Sequence, residues 1–373
     1  KKIIKMKKTL IIILAIFFTT SVYASHGNWT CTKKKSVLHD VNKELGGNGE
    51  IVRLNSFTTM GMFNVLNKAY EKNPVQITGL LELPKGQNKV PIIVWTHGSG
   101  GAGGYVNPYV KEAKNKLLEN GIGVMFLDSF CNRGTKDTWR DQSKATMVSQ
   151  AIDTMSAYKF LKSHPRSNGK LGTTGHSRGG TNSLLVAEAK FTSVFLNGSK
   201  KGFDAVLPEA AECRMAGLFL NPELTTNTKM LYVHGEIDNL TLAKPCADYV
   251  KKIKSNPGQI IIDIKQGWGH DWHSPYKPQK VPAMVMPTCP ANYVDDKGLV
   301  TGELADLGLN KYKLFSSWEE YAEAAAIEPK KTFKKVFKIL KGEKCIKRGA
   351  HVGGNHGDEY MPQFINFFKE NLL

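Results

Sequence analysis

Apart from one apolar run near its start, Leu10 to Phe18, the 373-residue chain lacks any segment near the roughly 20 apolar residues of a membrane-spanning helix. Arginine-rich arms, zinc-finger spacings and aromatic RNP patterns are missing too, and the lysines are scattered, so nucleic-acid binding is not expected. None of the six cysteines (Cys31, Cys131, Cys213, Cys246, Cys289, Cys345) stands in a C-x-x-C pair, which argues against zinc ribbons and thioredoxin-like chemistry. There is no H-E-x-x-H helix, and neither a metal nor a cofactor is expected. Internal repeats and low-complexity tracts are absent, leaving one decorated globular domain.

What the chain does have begins with a basic stretch, the apolar run and small residues up to Ala24, the pattern of a secretory signal peptide at 1–24 with Met6 as its start. The expected product is therefore exported, periplasmic or extracellular. This leader holds five lysines and no acid, so its removal lowers the formal charge from +18 to +13. A basic surface of that size suits anionic substrates or surface polymers without specifying one. The even cysteine count permits disulfides in an oxidising compartment, with connectivity open; Cys289 and Cys345 bracket a late insertion that they would staple.

From about Ile77 the chain alternates short apolar runs with helical patterns, as a mostly parallel sheet flanked by helices requires. "ITGLLELP", "VPIIVWTHGSGG", "GIGVMFLDSF", "GKLGTTGHS", "MAGLFLNPE", "KMLYVHGE" and "QIIIDIKQ" read as strands. Helices are expected over Lys111 to Asn120, from Met147 to a stop at Pro165, after the "GHS" turn, and at the C-terminus. Residues 25–75 read as an N-terminal extension, 76–373 as the main domain, and 275–350 as an insertion serving as a lid or pocket wall.

"GHSRG", residues 175–179, places Ser177 in a G-x-S-x-G pattern with a strand before it and a helix after it, the context of a nucleophile elbow. A serine hydroxyl needs a base, and the base an orienting acid. In this arrangement the chain order is Ser, Asp or Glu, His. Asp238 follows a strand and is the expected acid, with Glu236 its competitor; His270 in "GWGHDW" is the expected base, with His273, His351 and His356 open alternatives. "THGSGG" sits where an oxyanion loop belongs, which assigns that role to the backbone N–H groups of Ser99 and Arg178. Trp268 and Trp272 flank the base and are candidate substrate contacts. His176 is expected to shape the turn and to point away from Ser177.

The series "PIIVWTHGSGG", "GVMFLDSFCNRG", Asp141-Gln142, "KLGTTGHSRGG", "GEIDNLT" and "GWGHDW" resembles, in order, the α/β-hydrolase superfamily and within it the secreted dienelactone-hydrolase-like family. The likeness runs from about Val90 to Trp272, with "GGN" at 353–355 and the last helix also similar. It implies an α/β-hydrolase fold and a serine esterase with Ser177 as nucleophile, Asp238 as acid and His270 as base. It also implies a structural role for Asp128 and Arg133, expected as an ion pair. The namesake enzymes use cysteine, so dienelactone itself is not implied. Amide cleavage by the same triad, or a non-catalytic binding scaffold, are the competing readings; the expected partner is a small-molecule or polymeric ester.

Overall fold

The computed structural model describes residues 29–32, 35–138 and 141–373; the expected signal peptide lies outside them. Eight strands form the main sheet: β1 (Glu50–Phe57), β2 (Pro74–Glu82), β3 (Val90–Thr96), β4 (Gly123–Asp128), β5 (Ser167–His176), β6 (Ala205–Glu209), β7 (Lys229–Gly235) and β8 (Ile260–Lys265). Their spatial order is β1-β2-β4-β3-β5-β6-β7-β8. β2 runs antiparallel to β1 and β4, and every other neighbouring pair is parallel. This is the α/β-hydrolase fold that the sequence implied.

A strand of a two-sided sheet must be apolar at successive positions, because both faces are covered. β3 obeys this: Ile92 and Val94 join one hydrophobic cluster, Ile93 and Trp95 the other. Helix α1 (Leu38–Glu44), α2 (Pro108–Glu119) and α8 (Gly357–Leu372) cover the second face. The first is covered by α3 (Met147–Ser163), α4 (Arg178–Ala187) and α5 (Ala243–Lys252). The insertion adds α6 (Trp318–Ile327) and α7 (Pro329–Gly342), and opens and closes on an antiparallel ribbon of β9 (Gln279–Val285) with β10 (Lys347–Val352).

The structure departs from expectation in three places. Residues 25–75 are not only an extension, because Glu50–Phe57 is the edge strand of the main sheet. "MAGLFLNPE" supplies only Leu218–Phe219, paired to Tyr293–Val294 of the insertion outside that sheet. The strand beside the elbow is instead Ala205–Glu209, which was not among the expected strands and which contains Pro208, a residue with no N–H to donate to a central strand. Disulfides Cys31–Cys131, Cys213–Cys246 and Cys289–Cys345 tie the N-terminal segment to the turn after β4, a loop to α5, and the two ends of the insertion. Among the described residues no helix is long and apolar enough to cross a membrane.

Candidate active site

Ser177 stands between β5 and α4 at φ 59° and ψ −118°, a conformation that side-chain-bearing residues rarely adopt. Its backbone N–H is held by the carbonyl of Glu209 at 2.9 Å, and its carbonyl accepts from Thr181 at 3.0 Å. The flanking glycines are required by close approach: a Cβ on Gly179 would overlap the Thr96 carbonyl, and one on Gly180 the Glu209 carbonyl. Both obstacles are backbone in the central sheet and cannot swing aside. Strain of this kind persists only where the surroundings over-determine it, and it leads from geometry to a hypothesis of function.

Asp238 lies just beyond β7 and is fully enclosed by donors. Its Oδ1 accepts the N–H groups of Leu240 (2.9 Å) and Thr241 (3.0 Å). Its Oδ2 accepts from the Thr241 hydroxyl (2.9 Å), His234 Nε2 (3.1 Å) and His270 Nδ1 (2.7 Å). Burial alone would push the carboxyl up, but the imidazoles of His270 and His234 hold it well below the usual carboxylate range. Burial likewise opposes a charge on His270, yet Asp238 and Asp271 raise its imidazole above the ordinary value. Since Asp238 takes Nδ1–H, the nitrogen of His270 left outward is Nε2. Thr241 and His234 were not among the expected site residues; Tyr232, bonded to His234 Nδ1, completes that buried chain behind Asp238.

The loop carrying His270 is pinned by the far end of the chain. The His270 N–H donates to the carbonyl of His351 at 2.8 Å, and its carbonyl accepts from Gly353 at 2.7 Å. His351 therefore serves through its backbone, while His356 stacks on Trp268 and pairs with Glu359. His273 packs against Tyr109 and His176, and burial pushes its imidazole down to about 3, so it stays neutral. Glu236 is exposed and bonds the Gly267 N–H. No hydrogen bond joins the hydroxyl of Ser177 to His270, whose ring hydrogen bonds are to Asp238 and Thr241.

The loop after β3 borders the serine, since a Cβ on Gly98 would lie 3.7 Å from Ser177 Cβ. Arg178 opens α4, so its N–H has no carbonyl partner within the helix. Its buried guanidinium bonds Gln150 Oε1 at 2.8 Å, Gln142 and the Ala145 carbonyl, and Gln150 in turn donates to the His97 carbonyl at 2.8 Å. One network thus fixes the elbow relative to the loop of Ser99.

Two expectations are corrected. Trp268 and Trp272 are core residues, 4% and 0% exposed, packed beneath α8 with Tyr360, and are not free to meet a substrate. Arg133 pairs with Asp153 at 2.7 Å rather than with Asp128, which accepts from Ser36 at 2.5 Å and from the N–H groups of Phe130 and Cys131. The His176 ring reaches the loop of His270: it lies 4.7 Å from the His270 ring, with Nε2 3.0 Å from Asp271 Oδ1. These three residues are the group among the described ones whose ligand atoms, all within 4.8 Å of one another, are spaced to hold a metal ion. A cleft of about 540 Å³ reaches Asp238 between α5 and insertion residues Pro287, Ala291 and Tyr293, and its lining does not include Ser177.

The family model of the X-Pro dipeptidyl-peptidases (S15 family) matches residues 75–195, from β2 through the elbow to just beyond α4. No curated protein matches the chain in sequence. Among solved structures, Est1E from Butyrivibrio proteoclasticus is similar at 16% identity and a TM-score of 0.38, over 52% of this chain and 86% of that one. A dienelactone hydrolase from Anabaena variabilis is similar at 17% identity and a TM-score of 0.42, over 60% and 88%. A lidless α/β serine hydrolase from Xanthomonas campestris is similar at 16% identity and 0.39, over 60% and 86%.

Proposed function

We propose that the protein is a serine esterase that cleaves carboxylic esters through an acyl-enzyme. The observation that carries this reading is Ser177, held at φ 59° on a strand-to-helix corner. The buried Asp238–His270 pair at 2.7 Å supports the reading of His270 as an oriented base. Ser177 Oγ attacks the ester carbonyl while His270 Nε2 takes its proton, and Asp238 stabilises the imidazolium. The N–H groups of Ser99 and Arg178 receive the developing oxyanion. As the C–O bond to the alkoxy group breaks, His270 returns the proton to the leaving alcohol; water then repeats the sequence and frees the acid. Every step is carried by side chains and backbone of this chain.

The fold alone does not decide ester against amide. Amide cleavage by the same residues is the second reading, favoured by the S15 match over residues 75–195. Hydrolysis of p-nitrophenyl esters of graded chain length, beside a Xaa-Pro p-nitroanilide, separates the two. The esterase reading expects a burst on the esters and none on the anilide; the reverse pattern would make the protein a peptidase. Activity that survives Ser177→Ala would overturn both. The export expected from the leader is in keeping with three disulfides among the described cysteines and none left free.

A further inference from the structure

We propose that His176, His270 and Asp271 form a binding site for one zinc-like divalent transition-metal ion, laid directly over the base of the proposed hydrolytic site. The ligand atoms of the three residues lie within 4.8 Å of one another. A tetrahedral zinc ion with bonds of about 2.0–2.2 Å spaces its ligand atoms roughly 3.3 Å apart. His176 Nε2 and Asp271 Oδ1, at 3.0 Å, already meet that spacing. Two imidazoles and one carboxylate make a donor set suited to zinc and its neighbours, with a fourth position left for water.

The surroundings of His270 favour the ion, while His176 Nδ1 is buried without a hydrogen-bond partner and its Nε2 accepts the Asp271 N–H at 3.3 Å. Metal-bound imidazoles characteristically give their other N–H to a carboxylate, which fixes the tautomer and aims the free lone pair. Asp238 does this to His270 at 2.7 Å. Asp271 sits at φ 55°, a left-handed conformation that turns its carboxylate back onto His176 instead of out to solvent, and the Ser274 N–H holds its carbonyl at 2.8 Å. The side chains are 13% (His176), 3% (His270) and 20% (Asp271) exposed, open enough to admit an ion and closed enough to shed most of its hydration. An ion bound here takes the His270 lone pair that would otherwise accept the Ser177 proton. Binding therefore switches hydrolysis off reversibly. Only this consequence rests on the esterase reading; the site itself does not.

The test titrates the intact, metal-stripped protein with Zn²⁺ by calorimetry and with Co²⁺ by visible absorption, while p-nitrophenyl acetate hydrolysis is followed. His176→Asn, Asp271→Asn and Ser177→Ala are compared, with thermal melts to establish folding. Expected are one-to-one binding, Co²⁺ bands of low coordination, and hydrolysis that falls with occupancy and returns on chelation. Affinity should drop at least about tenfold in His176→Asn and in Asp271→Asn but persist in Ser177→Ala. Absence of binding, binding undiminished in both ligand variants, or activation by the ion overturns the proposal. Should His176→Asn fail to fold, Asp271→Asn carries the comparison. A wild type without esterase activity would sink the hydrolytic reading, while the calorimetric and Co²⁺ arms would still decide the site.

Discussion

The corner that bears Ser177 is fixed by backbone pressed against backbone: the carbonyls of Thr96 and Glu209 stand where side chains at Gly179 and Gly180 would go. The loop that bears His270 is confined at its edge too, where the Trp268 carbonyl stands in the place of a side chain at Gly235, but it is also held by residues some 80 positions later, through bonds to His351 on the strand that closes the insertion and to Gly353 just past it. One half of the proposed machinery is thus set by the rigid centre of the sheet. The other depends on how a large insertion folds back. Changes at the elbow glycines should therefore act through steric overlap with the sheet, and changes at the base loop through graded losses of alignment.

The largest effect should come from Ser177→Ala. Ester hydrolysis should fall by about 10⁴-fold or more with the melting temperature unchanged, because only the nucleophile is lost. Asp238→Asn should cost about 10⁴-fold in kcat, as the wrong tautomer of His270 is favoured. It should also move the pH profile. The base must be neutral to act, so in the wild type kcat/KM should rise with pH through a limb above the ordinary imidazole value of 6.5, since the folded protein raises His270. Without the Asp238 charge, burial dominates and the limb should shift down; a limb that stays in place would show that Asp238 does not set the base. The same pair predicts stability. The share from His270 is complete below pH 6.5 and is lost as pH rises through the raised value, and that from Asp238 is present above 3.8 and lost as pH falls through the depressed one.

Gly180→Ala should destabilise by about 1–3 kcal/mol through overpacking against the Glu209 carbonyl, read as a lower denaturation midpoint. A neutral result would break the steric account of the elbow. The smallest effect is expected at Asn239, which bridges the acid loop to the last strand by donating to the Gly349 carbonyl and accepting from the His351 N–H, both at 2.8 Å. Asn239→Ala should cost about 1 kcal/mol of stability. Its sharper readout is kcat, which should fall about tenfold at near-constant KM if the insertion's closing strand aligns the base. An unchanged kcat would mean that the His270 loop holds itself.

The elbow was legible because its cause is local. Gly175, Ser177 and Gly179 lie within five residues, and the strand-turn-helix context is written in the same short stretch. The order in which Asp238 and His270 follow was legible for the same reason, each sitting just past a strand. The strand Ala205–Glu209 was not, because Pro208 lacks the N–H that a central strand is expected to donate. Nor was the partner of Arg133, since Asp153 comes from a helix 20 residues on and Asp128 is the nearer candidate in sequence. Trp268 and Trp272 illustrate the commonest ambiguity: an aromatic beside a reactive histidine reads alike whether it faces a ligand or anchors the loop, and burial under α8 decided for the anchor.

The sequence by itself determined the alternation of strands and helices, the sharp turn at Ser177 and the residue types available for a nucleophile, acid and base, because periodicity and steric need act over a few positions. Tertiary structure alone decided that Thr241 and His234 enclose Asp238, that His351 and Gly353 hold the base loop, and that His176 and Asp271 meet beside His270. Those contacts join residues from separate loops, and no local rule of backbone geometry or hydrophobic spacing carries information across such distances.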